Sequence, residues 1–356
     1  MAKAQKDILQ KAKQGKNDEF YTQLVDIENE MRYYKEQFKG KTVYCNCDDP
    51  FESNFVKYFA LNFNYLGLKK LIAVSYATST IAYSQLSFFD NVVDVMNSKR
   101  PYKIEITSIS DENGDGAVDL QVFELILKKN KPQHLKGDGD FRSDESIALL
   151  KQADIVCSNP PFSLFREYLK QLITYNKRFL IIGNINALTY KEVFPLIRDN
   201  KLWLGASIHS GDREFRVPDS YPLKAAGYRI DENGIKYIRV KGVRWFTNMD
   251  YEQRHEDLVL YKSYNPEEYP HYDNYDAIEV SKTADIPINY DDIMGVPITF
   301  LDKYNPDQFV ILGMESSAGY NPDIVGIPKI KDGDARPTIN GKTTYARIFV
   351  KQKERE

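Results

Sequence analysis

The sequence predicts an α/β fold with an open, mostly parallel sheet, followed after about residue 203 by a less regular region. Two strand–helix–strand units support this prediction, one at residues 42–76 and one at residues 153–183. In each unit an apolar strand precedes a helix with one apolar face, and a second apolar strand follows. Repeated units of this kind are typical of parallel sheets, which bind ligands at the carboxyl ends of their strands.

The individual elements follow from periodicity and from turn residues. Predicted helices cover residues 25–38, 51–63 and 164–173, and predicted strands cover residues 42–46, 70–76, 102–108, 117–125, 153–157 and 179–183. Asp49 and Pro50 suit the start of the second helix, as N-cap and first helical residue. A turn at residues 111–116 would join the two alternating strands on either side of it.

Composition and charge limit the function classes. Hydrophobic residues make up 42% of the 356-residue chain and charged residues 28%, which is typical of a globular enzyme. No apolar run approaches the roughly 20 residues of a membrane helix, and the Lys-rich start lacks the apolar stretch of a signal peptide. Three cysteines without metal-ligand spacing indicate free thiols in a reducing cytoplasm. The net charge of −3 counts mildly against a nucleic-acid binder unless cations gather on one face.

The tetrapeptide Asn159-Pro160-Pro161-Phe162 is the most informative motif, because it joins an apolar strand to an amphipathic helix. The Asn159 side-chain oxygen and the Pro160 carbonyl could accept hydrogen bonds from a planar amine, such as the exocyclic amine of adenine. Phe162 could stack on the ring, and a base in a duplex would have to be flipped out to reach it. The alternative is a Pro-Pro turn with Asn159 as a local hydrogen-bonding residue. We favour the functional interpretation.

Other acidic and aromatic residues at strand ends are candidate ligand contacts. Asp48 and Asp49 could accept hydrogen bonds from a cofactor, although a helix cap explains Asp49 equally well. Asp140 could accept from an adenine amine and Phe141 could pack on the ring, or the two could belong to a solvated turn. Tyr21 and Thr22 could contact the same ligand or simply precede a helix. The absence of a Gly-x-Gly motif disfavours nicotinamide and flavin cofactors.

Residues 242–248 combine aromatic with basic side chains, which suits a surface for bases and phosphates, although a half-buried strand explains them nearly as well. The candidate phosphate contacts, together with the Lys-rich N-terminus, are Arg213, Arg216, Arg239, Lys241 and Arg244. The four histidines lack ligand spacing, so the sequence predicts no metal site.

Five blocks in the same order resemble a known family. The blocks are Asp18-Glu19-Phe20-Tyr21-Thr22, Tyr44-Cys45-Asn46-Cys47-Asp48-Asp49-Pro50, residues 137–143, residues 159–165 and residues 294–301. With these blocks the chain resembles the EcoRI modification methylase family, adenine-N6 DNA methyltransferases of bacterial restriction–modification systems and phages. The resemblance runs from about residue 7 to residue 312, with a divergent tail.

The resemblance implies a Rossmann-like sheet that uses S-adenosylmethionine, and duplex DNA as the substrate. Asn159, Pro160 and Phe162 match the family's catalytic motif, while Tyr21, Thr22, Asp48 and Asp140 fall in segments that form the cofactor pocket. The motif order is similar to the γ arrangement. The sequence departs from the wider superfamily in lacking the glycine-rich cofactor motif and the acid that usually ends the second strand, where Ser75 and Tyr76 stand.

We expect a basic arm at residues 1–16, a catalytic domain at residues 17–204 and a target-recognition and C-terminal region at residues 205–356. Segments near 235–262 and 294–312 would complete the sheet. We also expect a monomer, and a partner restriction endonuclease is possible within such a system. Two alternatives stay open: methylation of RNA or of a protein glutamine, and a DNA-binding relative without turnover.

Overall fold

The computed structural model describes residues 22–47, 49–76, 100–109, 123, 126, 129–209, 211–217, 227–315, 322–331 and 335–354. The chain forms two compact units. The first contains residues 1–185 and 210–249, and the second contains residues 186–209 and 250–356. This division differs from the predicted boundary at residue 204, because residues 210–249 pack with the first unit. Within the described ranges, no helix has the length and apolar character that spanning a membrane requires.

The described α-helices are α1 Leu24–Met31, α2 Asn54–Leu61, α3 Asp144–Gln152, α4 Phe165–Thr174, α5 Phe194–Arg198 and α6 Pro322–Val325. The strands are β1 Thr42–Cys45, β2 Lys70–Val74, β3 Tyr102–Ile106, β4 Gln133–His134, β5 Ile155–Ser158, β6 Arg178–Asn184, β7 Trp203–Leu204, β8 Asp212–Arg216, β9 Arg229–Ile230, β10 Lys236–Lys241, β11 Val243–Thr247, β12 Ile278–Glu279, β13 Met294–Pro297, β14 Phe309–Glu315, β15 Thr338–Ile339, β16 Lys342–Thr343 and β17 Arg347–Gln352. Short 3₁₀ helices include Lys35–Phe38 and Phe162–Leu164.

The main sheet of the first unit has the strand order β4-β3-β2-β1-β5-β6-β11. The four central strands, β2, β1, β5 and β6, run parallel, with Tyr44 of β1 opposite Ile72 on one side and Val156 on the other. The outer strands β3, β4 and β11 are antiparallel to their neighbours. Every residue of β1 and β5 is buried, as expected for strands covered on both faces. The predicted open, mostly parallel α/β sheet is confirmed.

Two predicted elements are wrong in detail. The helix after β1 begins at Asn54 rather than Phe51, because the Ser53 hydroxyl accepts from the backbone N–H groups of Phe55 and Val56 and caps it. Asp49 instead caps a turn ahead of the helix. The strand predicted at 117–125 contains Phe123, which is helical in the structure. The strand predicted before it, β3, pairs with β2 and β4. The predicted turn at 111–116 lies outside the described residues.

A second sheet in the first unit is antiparallel and has the order β8-β10-β9. Ile238 of β10 lies opposite Phe215 of β8, and both side chains are buried. Because side chains alternate along a strand, Tyr237, Arg239 and Lys241 share the opposite face of β10. This three-residue face and its neighbours on β8 and β9 are called the outer face below.

The second unit contains a four-stranded sheet with the order β12-β13-β17-β14. Phe349 of β17 packs against Tyr272 and Tyr275 in its core. The predicted sheet-completing segment near 235–262 does supply β11 to the main sheet. Residues 294–312 do not, since β13 and β14 both pair with β17 instead.

Candidate active site

A hydrogen bond joins the carboxyl ends of β1 and β5 and links the family-like block at residues 44–50 to the residue that precedes the tetrapeptide. The backbone N–H of Cys47 donates to the Ser158 hydroxyl over 3.2 Å. Ser158 is the last residue of β5 and directly precedes Asn159. The parallel pairing of the two strands therefore brings the segment after β1 to the start of the Asn159–Phe162 tetrapeptide.

The tetrapeptide forms a short, well-supported connection between β5 and α4. Asn159 is 8% exposed and Pro160 is buried, whereas Phe162 is half-buried. Leu164 N–H donates to the Pro161 carbonyl, which closes the 3₁₀ turn that begins at Phe162. The two prolines fix their own φ angles, so the backbone that carries the Asn159 amide and the Pro160 carbonyl has few alternative conformations.

Tyr168 of α4 connects the block at residues 137–143 to the block at residues 44–50. Its hydroxyl donates to Oδ1 of Asn46, the residue that follows β1. Its ring meets that of Phe141 edge-on, with centroids 5.1 Å apart. Gln171, one turn further along α4, donates to the Phe141 carbonyl over 2.9 Å. The helix after the tetrapeptide thus holds both other blocks at the same edge of the sheet.

Asp49 is buried, and its carboxylate accepts from the Phe51 N–H at 3.0 Å and from the Tyr102 hydroxyl at 2.9 Å. Burial raises the pKa of Asp49 to about 6, and these two hydrogen bonds oppose the rise. The side chain is therefore at least a local cap, one of its two predicted roles. The carboxylate still has acceptor capacity, because each oxygen has two lone pairs.

The Gly137–Phe141 block packs closely on the end of β2. Gly139 has φ +76°, and a Cβ there would lie 2.3 Å from the Ser75 carbonyl oxygen, so only glycine fits. The Asp140 carboxylate is bound by Arg142 through Nε at 2.8 Å and Nη2 at 2.6 Å. Phe141 is buried against Tyr168. Asp140 and Phe141, which were both predicted to contact a ligand, therefore each have a partner side chain within the protein.

Two buried polar atoms at this edge have no hydrogen-bond partner among the residues that the structure describes. They are Thr22 Oγ1 and Asn46 Nδ2. Thr22 lies beside the start of α2, because its carbonyl accepts from Nδ2 of Asn54 over 2.7 Å. Tyr21 and Asp48, the remaining predicted cofactor contacts, lie outside the described residues.

The predicted phosphate contacts on β8 and β10 differ in how far they are exposed and in which face of the sheet they lie on. Arg239 and Lys241 are exposed on the outer face of β10. Arg216 shares that face and lies 3.7 Å from Glu52, whereas Arg213 points to the other face and lies 3.5 Å from Asp26.

Arg244 does not fit a DNA-contacting role. It is 4% exposed and donates to the Val243 carbonyl within β11. Trp245 and Phe246 of the same strand are fully buried, because β11 joins the main sheet. The base-and-phosphate interpretation of residues 242–248 is therefore wrong, and the strand interpretation accounts for them.

Several residues at the sheet edge and on the outer face could not be identified from the sequence. Asn46 ends the predicted strand at 42–46 and Tyr168 lies in the predicted helix at 164–173, and no sequence pattern marks their polar atoms. Arg229 was missed because its two-residue strand has no pattern of its own, yet it lies opposite Tyr237, with its guanidinium carbon 4.4 Å from the ring centroid. It also pairs with Glu214 at 2.9 Å.

In the ranges that the structure describes, no group of three His, Cys, Asp or Glu residues could hold a metal ion.

The chain is similar to known proteins over nearly its whole length. The family model for the adenine-specific methyltransferase EcoRI matches residues 8–353. The match includes β17 and the segment before it, so the expectation of a divergent tail beyond residue 312 is wrong. The family resemblance itself is confirmed.

Three curated proteins are similar over nearly their full lengths. The type II methyltransferase M.EcoRI of Escherichia coli is 48% identical over 348 residues, which cover 97% of this chain and 96% of that protein. M.MgeORF184P of Mycoplasma genitalium is 36% identical, covering 97% of this chain and 98% of that protein. M.MpnI of Mycoplasma pneumoniae is 35% identical with the same two coverages, 97% and 98%.

Proposed function

We propose that the chain methylates N6 of an adenine flipped out of duplex DNA, with S-adenosylmethionine as the methyl donor, because it belongs to the family of the adenine-specific methyltransferase EcoRI. The chain is a site-specific, adenine-specific DNA methyltransferase of the type II kind. The observation that carries the finer proposal is the meeting of three blocks at one edge of the sheet. The Cys47–Ser158 and Tyr168–Asn46 hydrogen bonds hold them there.

The tetrapeptide would hold the target amine. The lone pair of the exocyclic amine is delocalised into the adenine ring, so the nitrogen is a poor nucleophile. Acceptors at the Asn159 side-chain oxygen and the Pro160 carbonyl would bind both amine hydrogens and favour a more tetrahedral nitrogen. Phe162, which is half-buried, would stack on the ring and fix its plane. These contacts require an extrahelical base, and the proton would pass to solvent after methyl transfer.

The residues at the sheet edge fit the methyl donor. Thr22 Oγ1 and Asn46 Nδ2 are buried polar atoms without a described partner, which a ligand with donors and acceptors would satisfy. The buried carboxylates of Asp49 and Glu52 lie near the same strand end and suit a ligand that carries positive charge. S-adenosylmethionine supplies an electrophilic methyl group when bound. Tyr21, Asp48, Asp140 and Phe141 remain proposed neighbours of this pocket.

The outer face of β8–β10–β9 would contact the DNA. Arg239, Lys241 and Arg229 are exposed there, and Arg216 lies at its margin. Cations on one face would bind phosphates and position the duplex, whereas base contacts would select the sequence. Arg213 and Arg244 are left out of this set because both are engaged within the first unit. We further propose that the enzyme acts as a monomer and that a cognate endonuclease can accompany it.

The test is product analysis with a matched pair of variants. Asn159→Ala should lower formation of N6-methyladenine in duplex DNA by about a hundredfold or more, because it removes an acceptor used in the transition state. Lys170→Ala, an exposed change on α4, should stay within about twofold of wild type. Labelled RNA and glutamine peptides serve as competing acceptors. Wild-type activity in Asn159→Ala, or preferential labelling of RNA or peptide, would refute the proposal.

A further inference from the structure

Asn46 places a buried side-chain amide directly after β1. The residue is 3% exposed, and its Oδ1 accepts a hydrogen bond from the Tyr168 hydroxyl. Its Nδ2 is buried and has no hydrogen-bond partner among the described residues. A buried donor that stays unpaired is unfavourable, so most such groups in folded proteins have a protein, water or ligand partner.

Tyr168 fixes the direction in which this amide points. The Tyr168 side chain is 0% exposed, and its ring lies edge-on to Phe141 at an interplanar angle of 79°. Because the ring cannot swing away, the hydroxyl keeps the carbonyl oxygen of Asn46 turned toward α4. The amide is planar and carries its NH₂ group on the other branch, so the hydroxyl of Tyr168 occupies the carbonyl oxygen and leaves both N–H bonds for other acceptors.

The NH₂ group lies at the edge where the reaction would take place. Cys47, the next residue, donates its backbone N–H to Ser158, and Ser158 precedes the tetrapeptide. A methyl donor of the S-adenosylmethionine type carries several acceptors, namely its carboxylate, its ribose oxygens and its purine nitrogens. The target amine, in contrast, needs acceptors rather than donors. The chemistry of Nδ2 therefore matches the cofactor and not the reacting group of the DNA base.

We propose that Asn46 is a cofactor-binding residue whose Nδ2 donates to an acceptor atom of the methyl donor, and that Tyr168 is the positioning residue that orients it. The inference rests on the proposed function, since it assumes that the donor binds at the carboxyl edge of β1. It also links cofactor affinity to α4, the helix that begins at Phe165, three residues after the end of the tetrapeptide.

The experiment measures binding of S-adenosylmethionine to the full-length protein by titration calorimetry without DNA. Asn46→Asp keeps the size and the Tyr168 hydrogen bond but replaces the donor by an acceptor, and should weaken binding about tenfold or more. Tyr168→Phe removes only the orienting hydroxyl and should weaken binding about threefold to tenfold. Tyr175→Phe is the matched control, since Tyr175 also belongs to the α4 region but its ring meets Lys151 rather than the site.

Kinetics separate positioning from catalysis. Tyr168→Phe should raise the KM for S-adenosylmethionine while kcat at saturating cofactor stays within about twofold of wild type. A thermal unfolding scan of each variant shows that binding was measured on folded protein. If Asn46→Asp does not fold, Tyr168→Phe still decides the question, because it adds no charge and no volume.

Either of two results would overturn the inference. The first is a cofactor affinity of Tyr168→Phe equal to that of Tyr175→Phe. The second is that the site variants bind DNA more weakly but bind S-adenosylmethionine as the wild type does. A purely structural role would lower the unfolding temperature of both site variants without changing the affinity of the folded protein. Failure of the proposed function looks different, since the wild-type enzyme would then produce no N6-methyladenine or Asn159→Ala would remain active.

Discussion

Asp49 lies at the sheet edge, and its surroundings shift the pKa of its carboxyl group. Burial raises its pKa from the usual 3.8 to about 6, and its hydrogen bonds from Phe51 and Tyr102 oppose that rise only in part. The folded protein therefore holds the proton more tightly than the unfolded chain does. Linkage then requires a stability contribution that is fully present below pH 4 and is lost as the pH rises through about 6.

Asp49→Asn should remove this pH dependence. Relative to the variant, the free energy of unfolding of the wild type should fall by on the order of 3 kcal/mol between pH 4 and pH 7, and the fall should level off once the pH exceeds the folded pKa of about 6. Urea denaturation of both proteins at intervals across this range measures the difference and cancels the other titrating groups. Parallel curves for the two proteins would show that Asp49 ionises normally in the folded state.

The sequence shows the proposed catalytic motif but not the residues that support it. Asn159, Pro160 and Phe162 are adjacent in sequence, so a pattern can show them. Asn46 and Tyr168 meet across 122 residues, and no local pattern predicts such a contact. Arg244 was assigned to the surface because its neighbours are basic and aromatic, but pairing of β11 with β6 buries it.

At the element scale, strand register decides which cations reach solvent. Arg239 and Lys241 alternate with the buried Ile238 on β10 and therefore project from the outer face. Antiparallel pairing places Glu214 opposite Arg239 and Asp212 opposite Lys241. Arg229 and Arg216 lie beside Tyr237 on the same face. The face therefore carries four cations, of which Arg229 also pairs with Glu214 and Arg216 with Glu52.

Removing cations from this face should weaken DNA binding in a salt-dependent way. Arg239→Ala and Lys241→Ala should each reduce the slope of log affinity against log salt by about one, because each loses one phosphate contact. Fluorescence anisotropy on one duplex over a range of salt concentrations gives the slopes. Lys191→Ala removes an exposed cation from the second unit and serves as the control. Equal slopes for all three variants would place the DNA elsewhere.

The elements themselves were predicted unevenly, for a physical reason. Central strands such as β1 and β5 read clearly in the sequence because both of their faces are buried and every residue is apolar or small. Short strands such as β9 and β12 contain two residues each, and their existence depends on partners far along the chain. Periodicity cannot detect a strand of two residues, because it spans only one period of the pattern.

At the scale of the whole molecule, the net charge of −3 coexists with a proposed polyanionic substrate. Affinity for DNA then has to come from the local arrangement of cations rather than from their total number. The outer face supplies such an arrangement within the first unit. Because residues 210–249 belong to that unit although residues 186–209 do not, the chain leaves the first unit and returns to it before completing the second.

The second unit has its own buried polar centre, in which Arg347 of β17 binds both carboxylate oxygens of Glu279 on β12. The Tyr272 hydroxyl also donates to Glu279, so the acid has several partners in the core. Removing the cation alone would leave a carboxylate that is largely buried and uncompensated. This contact holds together strands that are separated by 68 residues.

Arg347→Met should therefore lower the free energy of unfolding by about 3 kcal/mol or more. The double variant Glu279→Gln with Arg347→Met should recover more than half of that loss, because the amide keeps an acceptor for Tyr272 and carries no charge. Urea denaturation of the wild type, the single variants and the double variant completes the cycle. If the double variant were as unstable as Arg347→Met, lost packing of the arginine rather than an unpaired buried charge would explain the effect.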